Sequence, residues 1–220
     1  MRVTHKFTLL MLLLLLSPVD SENALAQIKP KTTGLGLRGS YWNMRNSSNL
    51  RFDRGADHEA VDLGGAGGWL HFFSRTSDSW FIEFHLGAVA DLIEHRQHLA
   101  GEDSRVLALA PVLLGLRHPL VSPANPSALR PYIAFGGGPY WIADIIVLDR
   151  YSHQETLVDS KLYPGAYAGG GLEFMLSSNF GLSFDVKYHF VDLAARHEYS
   201  GYEYAVGMQF YWGDYKENRQ

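Results

Sequence analysis

The chain has no cysteine in 220 residues. In a chain that is exported, this excludes a disulfide framework, so the fold must hold by pairing and packing alone. It also excludes a lipid anchor on a cysteine after the N-terminal apolar run. Long apolar runs are scarce as well. Beyond residue 26 no segment approaches eighteen consecutive apolar residues, so no transmembrane helix is available there. Basic charge is not in excess: 19 Lys and Arg against 23 Asp and Glu leave a net charge of −4, and no nucleic acid partner is expected.

What is present begins with the N-terminus. Arg2 and Lys6 precede an unbroken apolar run from Phe7 to Leu16, which Ser17 and Pro18 break. Ala24-Leu25-Ala26 then offers a small-x-small cleavage site before Gln27. The order of charge, apolar core and cleavage site predicts a cleavable signal peptide over residues 1–26, with a buried N-terminal helix as the alternative. An exported chain with 22 glycines and 29 aromatic residues then points to β structure.

Residues 202–212 carry the clearest periodicity. Tyr202, Tyr204, Val206, Met208, Phe210 and Trp212 are apolar or aromatic, and Glu203, Ala205, Gly207, Gln209 and Tyr211 between them are polar, small or amphipathic. That is the period of a strand with one face suited to an apolar medium. Seven further strands are predicted, over 33–43, 61–73, 80–91, 105–118, 129–143, 164–176 and 180–191. Alternation assigns Arg38, Asp62, Glu83, His85, Asp91, Glu173, Asp185, Lys187, His189 and Glu203 to the inner face. It leaves the faces of 105–118 and 129–143 open. An outward aromatic girdle is assigned to Trp42, Trp69, Trp80, Tyr188, Tyr204, Phe210 and Trp212, although strict alternation would turn Trp42 inward.

The connections alternate in length. Residues 44–60, 92–104, 144–163 and 192–201 read as long polar loops; 74–79 and 177–179 read as tight turns, and 119–128 carries three prolines. Long external loops opposite short periplasmic turns are the pattern of an up-and-down membrane barrel. An even strand count permits closure, which leaves no open edge in lipid. The expected fold is therefore an all-β, eight-stranded antiparallel up-and-down transmembrane β-barrel over residues 27–212, followed by a short polar tail, 213–220. A soluble β-sandwich or lipocalin-like barrel is the alternative.

Three segments carry a family resemblance: Arg130-Pro131-Tyr132 leading into Gly136-Gly137-Gly138, Gly169-Gly170-Gly171-Leu172-Glu173-Phe174, and Tyr188-His189-Phe190-Val191-Asp192. With them the chain resembles the small Gram-negative outer-membrane β-barrel superfamily that contains OmpA-, OmpX- and OmpW-like proteins. The closing strand is similar to the C-terminal assembly signal of such barrels, with Gly207, Phe210 and Trp212 in the expected places. Ala205 departs from its polar preference, and Gly213 to Gln220 extend past the point where the signal usually ends. The resemblance implies placement in the cell outer membrane, contact with outer-membrane lipids and lipopolysaccharide, and assembly by the barrel-assembly machinery.

An eight-stranded barrel is only wide enough for side chains to fill. The inward charges would meet there, and buried charges must pair or neutralise, because isolated burial costs several kcal/mol or more. A plug of ion pairs and hydrogen bonds is therefore expected, with Arg105, Arg117 or both turned inward to balance the acids. Members of the superfamily do different things, so an OmpW-like conduit for small apolar molecules is the rival reading. Some small outer-membrane barrels deacylate lipid A through a His-x-Ser-Asn motif. The nearest segment here, His189-Phe190-Val191-Asp192, has valine where the nucleophile belongs, and no enzyme is expected. No cofactor and no metal is expected either: His95 and His98, with His58 and His153, read as loop histidines. Arg45, Arg51, Arg54, Arg96, Arg150, Lys161 and Arg196 are candidates for lipopolysaccharide phosphates, to which guanidinium is matched. Ile145-Ile146-Val147-Leu148 either extends the fifth strand above the membrane or forms a patch for an apolar ligand or partner. The function expected is a non-enzymatic barrel contributing to envelope structure or surface contacts.

Overall fold

A computed structural model describes residues 31–44, 65–77, 79–98, 101–121, 127–150, 153–191 and 199–214. They form eight strands: β1 (Lys31–Met44), β2 (Gly65–Ser77), β3 (Trp80–His98), β4 (Gly101–Pro119), β5 (Leu129–Arg150), β6 (His153–Met175), β7 (Phe180–Val191) and β8 (Gly201–Asp214). Each pairs antiparallel with the next, and β1 closes the sheet on β8, with Leu35 opposite Phe210 and Trp42 opposite Glu203. The signal segment 1–26, Asp62, Arg45, Arg51, Arg54, His58, Arg196 and most of the tail lie outside the described residues.

The period-two pattern becomes two surfaces. In β7 the residues Gly181, Ser183, Asp185, Lys187, His189 and Val191 are buried, while Leu182, Phe184 and Phe190 are exposed. Thirty large apolar or aromatic side chains among the described residues, most of them around the outer wall, are each 37–67% exposed. Leaving each of these part-exposed in water forgoes about 0.5–1 kcal/mol, on the order of 15–30 kcal/mol together. That exceeds the roughly 5–15 kcal/mol by which whole domains are stable. Lipid is the medium that removes the conflict, and closure removes the other obstacle, an unpaired strand edge in hydrocarbon.

At one end the reversals are tight. The Ser177-Ser178-Asn179 turn is tied to β8, with Asn179 O accepting from Tyr211 N at 2.9 Å and Asn179 Nδ2 donating to Tyr211 O at 2.9 Å. At the other end two expected loops are strands instead. Residues 92–98 and 101–104 pair as a continuation of β3 and β4, and 144–150 and 153–163 as a continuation of β5 and β6. The reason is local composition: Ile145-Ile146-Val147-Leu148 faces Glu155-Thr156-Leu157-Val158, a β-branched and apolar ribbon. With 22 and 23 residues, β5 and β6 exceed a crossing by about a dozen residues each. β5 and β6 carry this extension furthest, with the ends of β3 and β4 paired beside them.

Two members of the expected aromatic girdle are corrected. Trp42 is fully buried and Trp69 is 5% exposed, both inside the barrel. Each stands directly opposite a luminal glycine, Trp42 across from Gly65 and Trp69 across from Gly87, which supplies the volume an indole needs. A Cβ on Gly87 would lie 2.6 Å from Trp69 Cζ3, inside contact distance. Gly87→Val is therefore expected to cost about 1–3 kcal/mol by overpacking, whereas Ala88→Val, on the exposed face of the same strand, should be nearly neutral. Urea unfolding of the refolded barrels, read by the heat-modifiable gel shift, checks the contrast.

Candidate functional site

The lumen is the place where chemistry-bearing side chains meet. Alternation sends one residue in two inward from every strand, and closure points all of them at one axis. The polar half of the lumen is organised by Glu83 of β3. Its Oε1 lies 2.9 Å from His71 Nε2 and 3.0 Å from Arg117 Nε, and its Oε2 lies 3.1 Å from His85 Nε2. Arg38 Nη2 donates to His71 Nδ1 at 3.0 Å, which assigns the His71 proton to Nε2 and makes that nitrogen the donor to Glu83. The His71 and His85 rings stack at 4.5 Å with planes 6° apart.

Two guanidiniums extend the hub. Arg38 Nε meets Asp185 Oδ2 at 3.2 Å, and Asp185 also accepts a hydrogen bond from Tyr132. Arg117 Nη1 donates to Glu173 Oε1 at 2.9 Å, and the guanidinium sits 4.6 Å over the Phe73 ring. Gly207, directly across from Arg38 in β8, leaves room for its side chain. Toward the short-turn end the network rests on Phe73, Phe81, Met175 and Tyr211.

Toward the hairpin end the lumen changes character. Trp42, Trp69, Leu107, Leu109, Leu113, Tyr140, Ile142, Tyr167 and Val191 pack into one apolar cluster. One polar chain crosses it. Tyr140 Oη and His189 Nδ1 are 2.9 Å apart, and His189 Nε2 is 2.9 Å from Glu203 Oε2. The carboxylate can only accept, so Nε2 carries the proton and Tyr140 donates to Nδ1. Trp42 covers the imidazole at 4.2 Å between centroids. Closer to the hairpin opening, half-buried Arg105 and Asp144 form a bidentate pair.

All nine residues of the predicted interior network (Arg38, Glu83, His85, Asp91, Glu173, Asp185, Lys187, His189 and Glu203) are buried. Glu83 and His85 belong to the hub, Arg38 and Asp185 to its first extension and Glu173 to its second; His189 and Glu203 form the separate upper chain. Lys187 lies 5.2 Å over the Tyr167 ring. Of the two arginines expected to turn inward, Arg117 is buried between Glu83 and Glu173, and Arg105 is half-buried against Asp144. The sequence reading missed His71, because the phase of the second strand was set from Asp62, outside the described residues. The signal was present in Leu70-His71-Phe72, a polar residue between two apolar ones in phase with Gly65 and Gly67. Of the closing-strand residues, Phe210 and Trp212 face outward at 42% and 47% exposure, and Gly207 faces the lumen.

His71, Glu83 and His85 bring three ligand-type atoms within 4.8 Å of one another, the spacing of a metal site. The donor set argues against that use. His71 Nε2 carries its proton toward Glu83, and Arg117 stands at the same oxygen, so a dication would have to displace a guanidinium and a hydrogen bond. The chemistry these residues support is mutual neutralisation.

No family model and no curated protein matches the chain. Solved structures do. The outer membrane protein OprG from Pseudomonas aeruginosa matches with a TM-score of 0.50 at 12% identity, over 84% of this chain and 98% of that one. Ail, the attachment invasion locus protein of Yersinia pestis, in complex with the heparin analogue sucrose octasulfate, matches at 0.49 and 12% identity, over 83% and 97%. Neisserial surface protein A matches at 0.45 and 11% identity, over 82% and 96%. The likeness to OprG is one of fold, the closed antiparallel β-barrel.

Removing the hub should cost more than trimming its edge. Glu83→Ala strips the shared acceptor from Arg117 and two histidines and is expected to destabilise the barrel by about 3–5 kcal/mol. Tyr167→Phe removes one hydrogen bond to His85 and should cost about 0.5–1.5 kcal/mol. Denaturant unfolding of both variants in detergent micelles measures the difference.

Proposed function

We propose that this barrel is a non-enzymatic integral outer-membrane protein whose lumen is closed to solutes and whose role lies in envelope structure and surface contacts. The observation that supports the reading is the close packing of inward side chains among the described residues, ion pairs toward the short turns and aromatic and aliphatic groups toward the hairpins. A recess of about 810 Å³ is bounded by Leu37, Leu70, Leu86 and Met208 of the outer wall and reaches Arg38, Trp69, Gly87 and Gly207 of the lumen where the wall is thinned by Gly39 and Gly68. The recess inside the short-turn mouth has only about 30 Å³. By the usual orientation of such barrels the short turns face the periplasm and the hairpins face outward.

Surface contact is supported by the projecting sheet. Leu157, Val158 and Leu162 are 47%, 61% and 67% exposed on β6, on a stretch that extends past the last β6–β7 pair, Gly165 with Val191. These exposed apolar side chains suit an extracellular partner or the saccharide and phosphate layer of lipopolysaccharide, with exposed Lys161 nearby.

A second reading, a conduit for small apolar molecules, has one observation in its favour. The outer half of the lumen is apolar, and Pro111, Pro139 and Pro164 sit on three adjacent strands, with Pro139 directly opposite Pro164. Proline donates no ladder hydrogen bond, so the wall is weakest there. Single-channel recording and uptake of an apolar fluorophore into proteoliposomes separate the two readings. The closed barrel is expected to give no conductance steps in 1 M salt, on the order of the usual recording condition, and no uptake above empty liposomes; uptake without conductance would favour the conduit.

A further inference from the structure

We propose that the short-turn mouth of the barrel holds a binding site for a phosphate-type oxyanion. Among the described residues the cavity there is lined by four cations, Lys31, Arg75, Arg117 and Arg130, together with the carboxylate of Glu173. They come from β1, β2, β4 and β5, with Glu173 from β6, so barrel closure rather than local sequence gathers them. Glu173 is engaged by Arg117 at 2.9 Å, and Arg117 is held from the other side by Glu83 at 3.0 Å. The charge of Arg117 is thereby answered within the network.

The other groups are arranged toward the cavity. The Arg75 and Arg117 guanidiniums lie 4.5 and 4.8 Å from the centroid of the same Phe81 ring, which fixes two like charges against one apolar plate. Arg130 is anchored by its Nε, which donates to the Ser127 carbonyl at 3.3 Å, while its Nη2 is buried with no hydrogen-bond partner. A charged donor withdrawn from water calls for an acceptor, and guanidinium forks match the oxygens of phosphate. The enclosed space, about 30 Å³, has room for about two waters, so the oxyanion would sit at the mouth with only some of its oxygens reaching inside. The ligand chemistry is a tetrahedral phosphate oxyanion, supplied either free or as the headgroup of a phospholipid in the facing leaflet.

The test uses the whole chain refolded in dodecyl maltoside, which contributes no phosphorus. Thermal unfolding is followed while inorganic phosphate is added at constant ionic strength against sodium chloride, and separately while dioleoyl phosphatidylglycerol is doped into the micelle. At least one of the two probes should raise the unfolding midpoint by several degrees, since a ligand of the native state alone stabilises it. Arg130→Gln and Arg75→Gln, each verified as folded by its compact unheated band, should lose at least half of that shift. A response to phosphate identifies the free anion, and a response to phosphatidylglycerol alone identifies the headgroup; either supports the site. No shift beyond the chloride control with either probe, or an undiminished shift in both variants, would overturn it.

Discussion

The constraint on which everything else depends is that hydrocarbon offers no partner to a backbone N–H or C=O. Eight strands satisfy it only by pairing β8 back onto β1, and that closure leaves no edge within the apolar belt. Closure has a second consequence. Every strand turns half of its side chains toward one narrow axis, where they pack against and pair with one another. The composition of the lumen follows from this: glycines stand opposite the largest rings, and carboxylates stand within reach of guanidiniums or imidazoles.

Glu83 shows how that space is used. A carboxylate alone in this interior would be prohibitively costly, yet with His71, His85 and Arg117 around it the charge is shared among donors fixed by three different strands. From the hub Arg117 of β4 reaches Glu173 of β6, joining two strands that no backbone ladder connects directly. On the other side of the lumen Arg38 ties β1 to β7 through Asp185. The ladders make the wall and the polar network braces it from within. Above the network, Trp42, Tyr140, Leu109 and Ile142 pack by apolar contact instead of charge.

Much of this was legible in the sequence, and the parts that were not have identifiable causes. Strict alternation in β3, β7 and β8 fixed the faces of Glu83, Asp185, Lys187 and Glu203, because each lies between bulky apolar neighbours. The same rule failed in β2, where a phase carried over from Asp62 turned Trp69 outward and hid His71. Tryptophan also misleads by prior expectation: indoles gather at membrane interfaces, yet Trp42 and Trp69 go inward because Gly65 and Gly87 stand opposite them, a pairing no single segment displays. In β4 and β5 the near-continuous apolar run conceals its period, since Leu107, Leu109 and Leu113 face an apolar lumen while Val112 and Leu114 face lipid. Loop lengths gave the topology correctly but overstated the irregular part, because polar residues such as Glu155, Asp159 and Lys161 belong to a ribbon that continues above the lipid. The convergence of Lys31, Arg75, Arg117 and Arg130 was beyond reach, as it exists only once the barrel closes.

The absence of cysteine opens a direct measurement of whether the lumen is filled. Single cysteines at Ser183 and Ala205, which are 3% and 2% exposed inside the barrel, can be compared with one at Leu120, 57% exposed at the short-turn end. In folded protein in detergent micelles, a charged water-soluble thiol reagent should label the cysteine at 120 and leave those at 183 and 205 untouched until the barrel is unfolded in urea. Labelling at 183 and 205 at a rate comparable to 120 in the folded state would mean a water-filled lumen and contradict the closed, internally braced barrel.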